Sequence, residues 1–278
     1  MRMCGARCRA CRLIWYHITM RHSGKESAET LLKTDCPEDQ TEGQVRRAWL
    51  FARRMPFHAV AIEHTGATYT AMIRNLILDM GNVLITWEPR AFALRAAGNE
   101  EDAEILNSAL FDTPDWPLHD AGGIDEETVL RRALDRTPNR LHSALITLFD
   151  RWPYWMAPIP GADAFTLKAR EAGLRLYLLS NAGTRFPQVL RGRPFYPRFN
   201  GMMVSAHEKL SKPDPRIYRR LCDVFSLQPR ECLFVDDLIQ NVEGAARAGM
   251  AAHLFDGDYR KVENKLRDVG VTLSETRT

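Results

Sequence analysis

The stretch Asn75-Leu-Ile-Leu-Asp79-Met-Gly-Asn-Val-Leu-Ile85 decides the fold of this chain. Its opening apolar run is typical of a buried strand, and the run ends in Asp79. Gly81 and Asn82 follow at once, so the chain is expected to turn there. Open parallel α/β sheets build their sites at the carboxyl ends of the strands. A carboxylate at such an end can bind a metal ion or act as a nucleophile, which makes Asp79 the first candidate site residue.

The chain beyond Asp79 alternates between strand-like and helix-like patterns. Four further apolar runs predict strands, at 174–179, 201–204, 231–235 and 251–255. Four segments with helical spacing lie between or after them, at 162–172, 214–225, 242–248 and 259–269. Repeated strand–helix units favour an α/β fold with a doubly wound, Rossmann-like parallel sheet.

The segment from Arg90 to Asp150 shows helical patterns and no strand. Helical spacing occurs in four pieces, at 91–97, 101–110, 125–136 and 139–150. Breaks are expected at 113–117, at Gly122-Gly123 and at Pro138. So long a helical stretch predicts an inserted subdomain in place of a single crossover. The predicted organisation is a core with a helical cap, the core at 72–89 and 156–278 and the cap at 90–155.

Residues 1–71 show no sustained helical or strand period. Cys4, Cys8 and Cys11 have the spacing of radical-SAM iron–sulfur ligands, but no strand precedes them. The start is also Arg-rich, as transit peptides are, although it is poor in Ser. Because Met72 directly precedes the first core strand, we interpret residues 1–71 as a disordered extension or a mis-assigned start.

Composition narrows the possible partners. The chain has 278 residues, 45% of them apolar and 26% charged, as is typical of globular proteins. No apolar run approaches the roughly 18 residues of a membrane span. Beyond residue 71, 27 basic residues face 28 acidic ones, so neither a nucleic acid nor a membrane partner is expected. That part carries only Cys222 and Cys232, which predicts buried thiols in a reduced, cytoplasmic protein.

Polar residues collect where predicted strands end. These residues are Asp79, Ser180-Asn181 and Asp236-Asp237, and the loop 211–215 adds Lys212. Because parallel strands share their carboxyl edge, these distant segments are expected to converge. Carboxylates suit Mg²⁺, and a hydroxyl and a lysine suit phosphate oxygens.

This ordered set resembles the haloacid dehalogenase superfamily over about residues 73–258, in the branch with a helical cap inserted after the first motif. The resemblance implies that Asp79 is the nucleophile of motif one. It implies that Ser180 and Lys212 bind the transferring phosphoryl group, and the backbone N–H of Asn181 is a further candidate for phosphate binding.

The same resemblance implies a Mg²⁺ cofactor. Its ligands would be Asp79, the carbonyl of Gly81 and the acidic pair Asp236-Asp237. Since adjacent side chains diverge, we expect Asp237 to bind the ion directly and Asp236 to act through water or Lys212.

Gly81 departs from the family pattern. Active phosphatases of this family usually carry an aspartate there, which protonates the leaving group and later activates water. A small residue also occurs in a branch similar to sugar-1-phosphate phosphatases. The predicted function is therefore a Mg²⁺-dependent phosphomonoester hydrolase that acts on a small, sugar-phosphate-like metabolite through an aspartyl-phosphate.

Two alternatives remain open. In a 2-haloacid dehalogenase, Asp79 would attack carbon, although the complete acidic pair argues against this. In the second alternative, the protein binds a phosphorylated ligand without hydrolysing it, which would explain why Gly81 replaces the usual acid–base aspartate. The sequence does not indicate the oligomeric state.

An aromatic group at 152–155 lies outside the motifs and is interpreted as structural. We expect hinge or core packing, in preference to a substrate platform, for Trp152, Tyr154 and Trp155. No metal-like spacing links His119, His142, His207 and His253.

Overall fold

The computed structural model describes residues 72–274. The predictions for residues 1–71, including the iron–sulfur and transit-peptide alternatives, lie outside this range. Among residues 72–274, no helix is both long and apolar enough to cross a membrane.

A five-stranded parallel sheet with strand order β3-β2-β1-β4-β5 forms the core. The strands are β1 Asn75–Leu78, β2 Arg175–Ser180, β3 Phe199–Val204, β4 Cys232–Asp236 and β5 Ala251–Leu254. Each overlaps a predicted strand, and the predicted α/β class with a doubly wound parallel sheet is confirmed.

Helices lie between these strands and after the last one. They are α1 Pro89–Ala97, α2 Glu100–Leu110, α3 Asp115–Asp120, α4 Glu126–Arg136, α5 His142–Trp155, α6 Ala162–Glu171, α7 Phe186–Leu190, α8 Ser205–Glu208, α9 Pro215–Phe225, α10 Ile239–Arg247 and α11 Tyr259–Asp268. Helices α1 to α5 all lie between β1 and α6, which is where the sequence predicts an insertion. The exact division into core and cap stays a prediction.

Strand β1 is buried on both faces of the sheet. Leu76 and Leu78 pack into one apolar cluster, whereas Ile77 packs into a second cluster on the opposite face. A strand covered on both sides is apolar at consecutive positions, which explains the Leu-Ile-Leu run. The free thiols of Cys222 and Cys232 are buried, as predicted.

The break predicted at 113–117 is wrong in its second half, because α3 begins at Asp115. Pro114 occupies the N-cap position of this helix, and Pro117 lies in its first turn. The first N–H groups of a helix have no partner within it, so proline is tolerated there. Helix α5 likewise runs past its predicted end at residue 150 and includes Pro153.

Candidate active site

The strand register brings two carboxylates to one level of the sheet edge. Leu78 of β1 pairs with Val235 of β4, so the next residues, Asp79 and Asp236, lie side by side. The Asp79 backbone N–H donates to the Val235 carbonyl at 2.9 Å, which continues the ladder into the site. Regular pairing of β1 with β4 therefore fixes the positions of both carboxylates.

Lys212 lies between these two carboxylates. Its Nζ is 2.8 Å from Asp79 Oδ1 and 2.6 Å from Asp236 Oδ2. The three residues are buried, with at most 7% of any of them exposed. A buried charge is tolerated when it is paired and hydrogen-bonded, and one ammonium here serves two carboxylates.

Asp236 is held on every side. Asn241 Nδ2 donates to both of its oxygens, at 2.9 and 3.1 Å, and the Leu238 backbone N–H donates to Oδ1 at 2.9 Å. These bonds leave Asp236 little freedom to turn. Its geometry fits the expectation that it acts through Lys212, and Asn241 orients it.

Asp237 has a different environment. It is half-buried, and Asn82 Nδ2 donates to its Oδ2 at 3.0 Å. Asn82 has a left-handed backbone, with φ of 52°, and its Oδ1 accepts from the Trp87 backbone N–H at 2.9 Å. The turn after β1 is thereby tied to the acidic pair at the end of β4.

The carboxylates form a set that fits a divalent cation. One oxygen each from Asp79, Asp236 and Asp237 lies within 4.8 Å of the others. Among residues 72–274 this is the one group of carboxylate, histidine or cysteine side chains that meets this criterion. Hard oxygen donors of this kind are the ligands that Mg²⁺ prefers.

Asn181 positions Lys212 through a reciprocal pair of hydrogen bonds. Its Oδ1 accepts from the Lys212 N–H and its Nδ2 donates to the Lys212 carbonyl, both at 2.8 Å. The side chain is thus committed to the protein, and only its backbone is left for phosphate. Ser180, at the end of β2, is buried and lines the cavity described below.

Burial dominates the electrostatics of the site. It raises the pKa of Asp79 to about 6 even though Lys212 acts in the opposite direction. Burial disfavours the charge of Lys212, but the coulombic effects of Asp79 and Asp236 outweigh it and raise its pKa above the usual value. Burial also raises the pKa of Asp237. When ionised, the three carboxylates carry more negative charge than the single Lys212 neutralises, which favours binding of a further cation.

The raised pKa of Asp79 predicts a pH-dependent stability cost. The pKa of the Asp79 carboxyl is about 6 in the folded protein and 3.8 ordinarily, so ionisation of Asp79 destabilises the fold. This cost is fully present above about pH 6 and absent below about pH 4. In EDTA at pH 7.5, Asp79→Asn is expected to raise the free energy of unfolding by about 1–3 kcal/mol. Urea unfolding at several pH values measures this difference. A difference that does not shrink towards pH 4, or a variant less stable at pH 7.5, would contradict the expectation.

A cavity of about 260 Å³ adjoins the carboxylates. Its apolar wall contains Trp87, Trp116 and Trp152, whose ring centroids are 5.4–5.8 Å apart. Trp152 therefore lines the cavity as well as packing in the core, whereas Tyr154 is 61% exposed and is not part of the wall. Helices of the insertion thus form one side of the cavity and the sheet edge forms the other.

Three ionisable residues of the cavity are absent from the sequence-based candidates. They are His119 and Asp120 of α3 and Arg185, which precedes α7. His119 is only 5% exposed, and its Nδ1 is 3.6 Å from Asp120 Oδ1. The spacing expected of metal ligands does not identify His119 as a site residue. The feature of the sequence that points to His119 is the carboxylate of the next residue, Asp120.

Comparison with known proteins gives a family match for most of the described residues. Residues 73–249 match the family model described as haloacid dehalogenase-like hydrolase. A phosphoserine phosphatase of Thermus thermophilus is 32% identical, over 48% of this chain and 55% of that protein. The sesquiterpene phosphatase astK of Aspergillus oryzae is 26% identical, over 65% of this chain and 89% of that protein. The chain spans about half the length of several other curated relatives.

A solved structure shares the fold. It is a HAD family enzyme of Bacteroides thetaiotaomicron in complex with magnesium and inorganic phosphate, with a TM-score of 0.54 and 22% identity. The alignment covers 68% of this chain and 98% of that one.

Proposed function

Because the chain belongs to the haloacid dehalogenase-like hydrolases, we propose that it is a Mg²⁺-dependent phosphomonoester hydrolase that works through an aspartyl-phosphate. One observation carries the proposal: Lys212 lies between Asp79 and Asp236, and Asp237 is near enough to share a cation with them. The phosphatase names of two relatives, and the magnesium and phosphate of the solved neighbour, support the same chemistry.

Asp79 is the nucleophile in this proposal. One of its oxygens forms a bond to phosphorus while the bond from phosphorus to the leaving oxygen breaks. Lys212 and Ser180 bind the transferring oxygens, and this binding accelerates the reaction where it is stronger in the transition state. Water then attacks phosphorus and frees Asp79.

The Mg²⁺ ion would be held by Asp79, the Gly81 carbonyl and Asp237, with Asp236 completing the acidic group. When bound, it supplies positive charge that offsets the repulsion between a carboxylate and a phosphate ester. Asn82 and Asn241 hold the two acidic residues at the end of β4 in place for this task.

The cavity favours a small substrate. A volume of about 260 Å³ suits a phosphorylated metabolite of sugar-phosphate size, with hydroxyl groups facing His119 and Asp120 and one face against the tryptophans. Such substrates and the two free cysteines fit a cytoplasmic protein. The tryptophan wall also favours a second candidate, the phosphomonoester of an apolar alcohol, as the name of the fungal relative suggests for that protein.

Phosphate release by the full-length protein tests the proposal. We expect sugar phosphates or apolar alkyl phosphates to be hydrolysed with Mg²⁺, activity to be lost in EDTA, and added Mg²⁺ to restore it. The ratio of kcat/KM between the two substrate groups selects the substrate class. Release of halide from 2-haloacids that survives EDTA would favour the dehalogenase, and tight binding of phosphate esters without release would favour the non-catalytic alternative.

A further inference from the structure

The end of α3 is docked against the loop that follows Ser180. Ser205 Oγ donates to the Asp120 carbonyl and accepts from the Ala182 backbone N–H, the latter at 2.9 Å. A Cβ added at Gly122, whose φ is +71°, would lie 2.3 Å from the Ala206 carbonyl oxygen. A glycine is therefore needed for the two backbones to approach this closely. The contacts fix the helix end over the loop expected to bind phosphate.

His119 is pressed onto the same loop. A Cβ added at Gly183 would lie 2.1 Å from His119 Cε1 and 2.7–2.8 Å from its two nitrogens. The nitrogen-bearing edge of the imidazole thus faces backbone that lies three residues beyond Ser180. Asp120 lies beside the ring and faces the Gly183 N–H, and burial raises the pKa of the Asp120 carboxyl.

Neither nitrogen of this buried imidazole has a hydrogen-bond partner among residues 72–274. Trp152 Nε1, in the wall of the same cavity, is unpartnered as well. Buried polar atoms are nearly always satisfied, so an exception in a cavity calls for a partner supplied by a ligand or by an ordered water. A substrate that supplies it would bring polar atoms to the cap side of the cavity, beyond its phosphate.

A glycine at position 81 cannot transfer a proton, and lack of room for a larger side chain does not explain its presence there. A Cβ at this position would meet only Trp87 Cβ, at an ordinary 3.6 Å, and the φ of Gly81 lies outside the left-handed region. The chemistry must therefore be sought among other groups of the cavity. Its ionisable side chains are Asp79, His119, Asp120, Arg185, Lys212 and Asp237.

Most of these groups are already committed. Asp79 and Asp237 belong to the nucleophile and the cation site, and Lys212 is paired with two carboxylates. Arg185 does not release its proton. An imidazole can both give and take a proton, and a neighbouring carboxylate can hold the ring in one orientation.

We propose that His119 is the general acid and base of this reaction and that Asp120 is its positioning residue, an inference that rests on the proposed phosphatase function. As Asp79 forms its bond to phosphorus, the leaving oxygen takes a proton from the His119 imidazolium. In the second step, the neutral imidazole accepts a proton from the attacking water while the bond between phosphorus and Asp79 breaks. The imidazolium is thereby restored, and one water is consumed for each ester.

Leaving-group dependence tests this role. His119→Asn removes the transferable proton but keeps a polar side chain of similar size. We expect kcat/KM to fall about 100-fold or more for the best alkyl phosphate of the panel, whose alkoxide needs a proton to leave. For p-nitrophenyl phosphate, whose phenolate leaves unaided, kcat/KM should stay within about threefold, because it reports only the first chemical step. Asp120→Asn should show the same selectivity with a smaller fall.

His253→Asn is the matched control, since His253 lies on β5 and does not line the cavity. It should leave both kcat/KM values unchanged, and thermal unfolding compares the folding of all variants. If kcat/KM falls equally for the two substrates in His119→Asn and Asp120→Asn, or does not fall for the alkyl phosphate, the acid–base role of His119 is overturned. The proposed phosphatase function is not overturned by that result. A wild-type protein that releases phosphate from neither substrate would overturn the proposed function and the acid–base role together.

Discussion

Replacing Asp79 with asparagine is expected to lower kcat for Mg²⁺-dependent phosphate release by about 10⁴-fold or more. The amide has nearly the shape of the carboxylate but is a far poorer nucleophile, and it removes one of three carboxylates from the cation site. Because the variant should fold at least as well as wild type, the loss can be assigned to chemistry. Steady-state phosphate release at saturating Mg²⁺ measures it.

Asp223→Asn provides the control for this change. Asp223 is an exposed aspartate on α9, away from the cavity, so its variant should retain the wild-type rate. Equal slow rates for wild type, Asp79→Asn and Asp223→Asn would mean that Asp79 takes no part in the reaction.

Replacing Lys212 with methionine is expected to damage both stability and activity. Methionine fills much of the same volume but leaves Asp79 and Asp236 adjacent and without a cation. Removing one partner of a buried ion pair typically costs about 3–5 kcal/mol, so the free energy of unfolding in EDTA should fall by that amount. Phosphate release should fall about 100-fold or more, because the transferring oxygens lose a cationic partner.

Lys209→Met separates this effect from a general loss of charge. Lys209 lies only three residues earlier in the chain, but its side chain is exposed. Its replacement should change the free energy of unfolding by no more than about 0.5 kcal/mol and leave activity intact. Urea unfolding measures the free energy of unfolding of both variants. A similar decrease in the two would show that pairing of Lys212 with Asp79 and Asp236 does not stabilise the fold.

Mg²⁺ should recover part of the stability of Lys212→Met, since it brings positive charge back to the carboxylates.

Much of the site could be predicted because it depends on regular structure. Consecutive apolar residues mark β1 and β4, and parallel pairing then brings the residues after them to one edge. The position of Asp79 next to Asp236 follows from this rule. Lys212 was predictable only through its motif, since its place depends on a loop that Asn181 holds by two backbone contacts.

The cap side of the cavity was not predictable in the same way. Two prolines near α3 indicated a break, although both are compatible with the start of a helix. The place of His119 depends on how closely the end of α3 approaches the loop after β2, and no local pattern encodes that approach. The tryptophan wall was not predictable from the sequence either, because its three rings come from separate segments that meet only when the chain folds.

The acid–base assignment also accounts for the glycine in the first motif. If a histidine on the cap transfers the proton, the position two residues after Asp79 is free to be Gly81. Proton transfer would then depend on the docking of α3, which Gly122 and Gly183 make possible. Catalysis of alkyl phosphates would require this docked position of α3, whereas attack on an activated ester would not.

The most direct test of the central claim is to find where the phosphoryl group is held during turnover. Wild-type protein turning over its best substrate with Mg²⁺ is quenched in acid, digested and mapped by mass spectrometry. We expect one phosphoryl group on Asp79, absent in EDTA and absent from Asp79→Asn. A phosphoryl group trapped on any other residue, or an unmodified Asp79 together with an undiminished rate in Asp79→Asn, would contradict the proposal that this aspartate is the phosphoryl acceptor.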